Sequence, residues 1–182
     1  LNTGAKRKHS TSRLLATIAY RVAGKTTYAL EGSILSAGST IQWLRDELKV
    51  IRDGAHAGEL AASIDDTSGV HLVPAFTGLG APHWQPHARA AIHGLTFAAK
   101  KAHVARAALE AMAHQTHDLK TAFAADGADW AELRVDGGMV SIASVKITPD
   151  LFDARIYLSF YKVNDPVQTL QHIQDKSREI KK

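Results

Sequence analysis

The chain of 182 residues contains no cysteine. Disulfide scaffolds and thiolate metal sites are therefore excluded, and the absence suits a reducing compartment. No apolar run approaches the roughly 20 residues that span a bilayer, and the N-terminus lacks the pattern of a secretory signal. The expectation is a cytoplasmic protein without a membrane partner. No internal repeat or low-complexity tract is visible. The first residue is Leu1 rather than Met, which points to a start inside a longer reading frame. A strong excess of one charge is also missing: the formal net charge is +4, from 22 Lys and Arg against 18 Asp and Glu. The basic residues do not form one strip. Lys6-Arg7-Lys8 reads as a solvated turn, and Lys176, Arg178, Lys181 and Lys182 as a solvated helix end.

What remains is the composition of an ordinary globular domain, 45% apolar and 22% charged. The length allows one domain with a sizeable core. Leu14 to Tyr20 and Thr26 to Gly32 read as two strands of a hairpin, joined near Gly24. Ile41, Trp43, Leu44, Leu48 and Ile51 recur at helical spacing behind the small-residue turn Gly38-Ser39-Thr40. A weaker helix covers Glu59 to Ile64, and Val70 to Phe76 reads as a buried strand. Gly78-Leu79-Gly80-Ala81-Pro82, with Pro86 close behind, precludes regular structure. A long helix is predicted over Lys101 to Ala125, with Val104, Ala108, Leu109, Met112, Leu119 and Phe123 on its apolar stripe. A short strand, Leu133-Arg134-Val135, runs into Asp136-Gly137-Gly138. Beyond it, Ser141 to Thr148 and Arg155 to Tyr161 read as strands, and a helix starts at Pro166.

Two features carry chemistry. Gly38 opens a helix, where bare backbone N–H groups can face an oxyanion and a side chain would hold phosphates away. Gln42 lies one turn on and shares that face, so its amide can serve a nucleotide. Asp136-Gly137-Gly138 is a tight turn after a strand, where backbone approaches a ligand closely. Glu110, His114 and His117 lie at helical spacing, but they read as a solvated or partly packed face, and no metal site is expected. Trp43, Trp84 and Trp130 are scattered and read as packing residues.

Three blocks resemble the glycerol kinases of the FGGY carbohydrate kinase family. They are Tyr28-Ala29-Leu30-Glu31-Gly32 with Ala37 to Glu47, Val73 to Pro82 with Trp84, Pro86 and Arg89, and Leu133 to Gly138. Between the last two, Ile92-His93-Gly94-Leu95, His103-Val104 and Ala107-Ala108-Leu109-Glu110 are similar to that family's C-terminal signature. The resemblance implies part of a ribonuclease-H-like (actin-like ATPase) domain, phosphoryl transfer from ATP to glycerol, and use of ATP with Mg. It places Gly38, Gln42 and Gly138 at ATP-contacting positions. It also implies that the catalytic aspartate, the glycerol-holding residues and the phosphate-gripping loop lie upstream of Leu1. These residues alone would then carry no catalytic group and no transferase activity. Ile142 stands where the family has an asparagine beside adenine, and His83 and Gln85 where it commonly has tyrosine and aspartate.

Residues 139–182 are similar to a different family, ribosome-binding factor A. Ile147-Thr148-Pro149-Asp150-Leu151, Ala154-Arg155-Ile156-Tyr157-Leu158-Ser159 and Lys176-Ser177-Arg178-Glu179-Ile180 carry that likeness. It implies a β-β-α piece of KH-like type and a possible partner in ribosomal RNA, as the alternative function. The expectation is thus an α/β chain in two parts, 1–138 kinase-like and 139–182 of the second kind, joined near Gly138 as a chimera.

Overall fold

The computed structural model describes residues 1–128 and, beyond them, the backbone of two strands, Ser141–Ile147 and Ala154–Ser159. The predicted strand at 133–135, the Asp136-Gly137-Gly138 turn, Trp130 and the helix from Pro166 lie outside the described residues.

β1 (Asn2–Gly4), β2 (Leu15–Val22) and β3 (Lys25–Glu31) form a three-stranded antiparallel sheet in the order β1-β3-β2. The β2–β3 hairpin is the one the sequence predicts. Its turn is Ala23-Gly24, with φ of 48° and 77°. Two successive positive φ values give the turn a twist that matches the strands. Leu1 extends the sheet, donating its amino group to the Leu30 carbonyl at 2.7 Å and accepting from the Leu30 N–H at 2.9 Å.

α1 (Gly38–Asp46) is shorter than its periodicity suggests. The chain leaves the helix after Asp46: Lys49 adopts φ 54°, and the Val50 N–H donates to the Leu44 carbonyl at 3.1 Å. That closure is a left-handed helix cap. Leu48 is therefore left exposed, and Ile51 reaches the core from the following loop. α2 (Gly54–Ala62) starts earlier than predicted because Asp53 caps it, accepting from the His56 N–H at 2.8 Å. β4 (His71–Val73) pairs antiparallel with β5 (Ala91–His93), a strand the sequence did not reveal.

α3 (Lys101–Ala125) has the bounds its stripe predicts and organises two cores. In its first half Ala105, Ala108, Leu109 and Met112 pack with Ile41, Leu44, Ile51, Val70 and Leu72. In its second half Leu119, Ala122 and Phe123 pack with Leu14, Leu30 and Ala81. Each fully buried Leu or Val here contributes roughly 1.5–3 kcal/mol. The alanines of α3 let α2 approach through Gly54 and Ala57, both buried.

The loop between β1 and β2 is tied to the end of α3. The Thr11 N–H and hydroxyl donate to the Asp126 carboxylate at 2.9 Å, and the Ser10 hydroxyl donates to its other oxygen. Lys8 Nζ donates to the Asp126 and Gly127 carbonyls at 3.2 and 3.3 Å. One member of the basic cluster thus closes a helix end. β6 (Ser141–Ile147) and β7 (Ala154–Ser159) pair antiparallel, from Ser141 opposite Ser159 to Ile147 opposite Ala154.

Candidate functional site

α1 holds two of the three residues expected to meet a nucleotide. Its inner face is fixed by Thr40, Ile41 and Leu44, all buried. Thr40 also locks the entry, its hydroxyl donating to the Ser36 carbonyl at 2.9 Å and its N–H to the Ala37 carbonyl at 3.0 Å. Both Ser36 and Thr40 are buried, so this turn is rigid. The opposite face carries Gly38 and Gln42, four residues apart and both exposed. Ala37 occupies the N-cap position, and no side chain caps the helix. The first N–H groups of a helix lack intrahelical partners, and the helix dipole favours negative charge there. A Cβ built on Gly38 would meet no described atom within 4 Å. The glycine is therefore not required by packing, and the space beside it is open. Gly138, the third expected position, lies outside the described residues.

The other glycine-rich segment behaves differently. Gly78 has φ 90°, and a Cβ there would come within 2.8 Å of the Gln85 carbonyl. Gly80 lies against the Ser33 carbonyl with no room for a side chain. Leu79 and Gln85 exchange backbone hydrogen bonds at 2.9 and 3.0 Å. This segment is a packed clasp that anchors the chain leading into α1. His83, one of the altered positions, donates or accepts at 2.8 Å with Asp118 of α3.

Histidines and acids come together around a cavity of about 250 Å³ between β4 and α3. His71, His83, His114, Glu110, Gln115 and Asp118 contribute to its lining. Glu110 accepts from Arg106 Nε at 2.8 Å, and Arg106 also holds the Ala61 and Ile64 carbonyls at the end of α2. Both acids of the lining are already hydrogen-bonded, Glu110 to Arg106 and Asp118 to His83. Among the described residues, no three His, Cys, Asp or Glu side chains are placed to hold a metal ion. His103 is buried, and its Nδ1 accepts from the Lys100 N–H at 2.8 Å. Its proton then sits on Nε2, 3.5 Å from the Ser68 hydroxyl, so it cannot take a proton from that serine. Trp43 packs on the core with Phe76 at a ring separation of 4.9 Å, and Trp84 Nε1 donates to the Arg13 carbonyl at 2.7 Å.

Hydrogen bonding sets the local charges. The Arg45 side chain hydrogen-bonds Asp46 at 2.6 and 2.7 Å, raising the guanidinium and lowering the carboxyl from their ordinary values. The Ser68 N–H holds the Asp66 carboxyl below its usual range. Burial pushes the Asp126 carboxyl up, but the bonds from Ser10, Thr11 and Ser12 outweigh it and hold the group at about 2.

The sequence placed Gly38 and Gln42 on one face at the start of a helix because a small-residue turn before an apolar stripe is a local signal. It did not reveal the Ser36–Thr40 lock, although a threonine four residues after a serine at a helix entry was the available clue.

A mixed α/β domain of the actin-like ATPase class is what this fold defines, and solved structures share it. The crystal structure of Plasmodium falciparum glycerol kinase with ADP aligns with a TM-score of 0.64 and 41% identity, over 74% of this chain and 27% of that one. Xylulose kinase from Rhodospirillum rubrum aligns with a TM-score of 0.58 and 27% identity, over 69% and 25%. The chain belongs to the FGGY family of carbohydrate kinases, whose C-terminal domain matches residues 3–152. It is 56% identical over 154 residues to the glycerol kinase of Rhodospirillum centenum, covering 84% of this chain. It is 58% identical over 160 residues to that of Allorhizobium ampelinum, covering 86%. The chain spans about a third of the length of these relatives, 31% and 32%. Among the described residues no helix is long and apolar enough to cross a membrane.

Proposed function

We propose that this chain supplies the ATP-side portion of a glycerol kinase, and that the opening of α1 receives the nucleotide. The complete enzyme would transfer a phosphoryl group from ATP to glycerol. The observation that carries the reading is the uncapped start of α1, with open space beside Gly38. The 54–58% identity to glycerol kinases supports that chemistry. The N–H groups at Gly38 and Ser39 would donate to ATP, the Gln42 amide would hold its orientation, and Gly138 would let a second stretch of backbone approach. Mg²⁺ bound with the nucleotide would neutralise charge on the phosphate oxygens.

Residues 1–138 are proposed as the kinase part and 139–182 as a KH-like piece joined to it. The pairing of β6 with β7 supports two strands in that piece. The family match runs on to residue 152, so the two likenesses overlap over 139–152. The alternative of ribosomal RNA binding rests on the sequence likeness of 139–182 alone.

Urea unfolding with and without Mg-ATP tests the nucleotide site. At about a hundred times its dissociation constant, ATP should stabilise the chain by roughly 2.7 kcal/mol. Gly38→Leu should leave the unfolding midpoint without ATP in place and abolish the ATP-induced shift. A shift of equal size in both proteins would move the site away from α1.

A further inference from the structure

The nucleotide reading leaves the cavity between β4 and α3 without a role. Its wall on α3 is made of two adjacent rows at four-residue spacing, Ala107, Ala111 and Gln115 in one and Glu110, His114 and Asp118 in the other. Leu72 of β4 and Leu79 of the clasp add apolar lining. The space is therefore apolar along part of its length and carries polar groups along one helix row.

Three acceptors there have no donor among the described residues. Gln115 Oε1 is buried and without a hydrogen-bond partner. Glu110 engages Arg106 through Oε1 alone, and Asp118 engages His83 through Oδ2 alone, so each carboxylate keeps one oxygen unused. A buried acceptor with no donor bears its full desolvation cost, and a ligand that supplies the donor removes that cost. Unmatched acceptors of this kind call for a ligand rich in N–H groups and disfavour an anion. Charge points the same way. The Arg106 guanidinium offsets one carboxylate, while the partner of the other is an imidazole, which carries no fixed charge. Both carboxylates are partly buried, where attraction to a cation is screened less than at the open surface.

We propose that this cavity binds a linear aliphatic diamine. One ammonium group sits between Asp118 and Gln115, which are neighbours one helical turn apart, and the other sits at Glu110. The methylene stem lies on Ala107, Ala111, Leu72 and Leu79. Glu110 and Asp118 are eight residues apart, about 12 Å along the helix. A charged hydrogen bond of about 2.8 Å at each end leaves roughly 6 Å between the nitrogens, the span of a four-carbon diamine. The volume of about 250 Å³ accepts such a molecule with room for bridging water. Primary ammonium groups supply three donors each, matching the unused oxygens.

Titration of the full chain with 1,4-diaminobutane tests the site, read by calorimetry and by the side-chain amide NMR signal of Gln115. The diamine should bind at least tenfold more tightly than 1,4-butanediol, which has the same length and no charge. Gln115→Met should weaken diamine binding at least tenfold and leave the urea midpoint without amine unchanged or higher, because it removes an unmet acceptor. Asp118→Asn keeps an acceptor for His83, removes the charge and should weaken binding to a similar degree. Equal affinity for diamine and diol, or affinity untouched by both substitutions, would overturn the proposal. So would the absence of binding at tens of millimolar, which would make the cavity a space for water only.

Discussion

Gly38 and Gly80 are glycines for opposite reasons. Gly80 presses on the Ser33 carbonyl and Gly38 faces open space, so only the first should resist a methyl group. Gly80→Ala must part the clasp from the chain entering α1, and a loss of about 2 kcal/mol or more in urea unfolding is expected. Asp126 makes a second residue-scale test. Its carboxyl is held at about 2, below the ordinary aspartate value of 3.8. A depressed carboxyl pKa stabilises the fold above the unfolded value, and the contribution fades as pH falls through the folded one. Its partly exposed setting limits the gain to on the order of 1 kcal/mol. Asp126→Asn should remove about that much at pH 7 and flatten the stability profile between about pH 4 and 2. Glycines in a helix entry are legible in the sequence. The hold of Thr11 on Asp126 is not, because the partners stand 115 residues apart and neither has a local pattern.

Elements were legible where one physical signal dominated. The stripe of α3 gave both its bounds, since its two halves each bury apolar residues in a core, with only the polar turn 114–118 between them. The end of α1 was hidden. Lys49 takes the left-handed cap position that glycine usually holds, so Leu48 and Ile51 still looked helical. β1 and β5 have three residues each, too few for an alternating pattern to show. The hairpin turn carries the same disguise in milder form, with Ala23 at φ 48° where asparagine is favoured. Ala23→Asn should therefore stabilise the chain by about 0.5–1 kcal/mol, read as a higher urea midpoint. An unchanged or lower midpoint would mean that the turn is not of the expected type.

At the scale of the whole molecule, the family was readable because its motifs fall in order along one stretch of chain. The same order folds into one body: the clasp at Gly78–Gly80 fixes the entry to α1, and α3 backs both the sheet and the two shorter helices. The candidate site was legible in part. Gly38 and Gln42 come together on α1, while Gly138 lies outside the described residues. The central claim is that the start of α1 receives ATP. Amide hydrogen exchange, resolved by residue with and without Mg-ATP, tests it most directly. Slower exchange at Gly38 and Ser39, and less change around His83 and Asp118, is the result expected. No protection at α1, or protection confined to the cavity between β4 and α3, would contradict it.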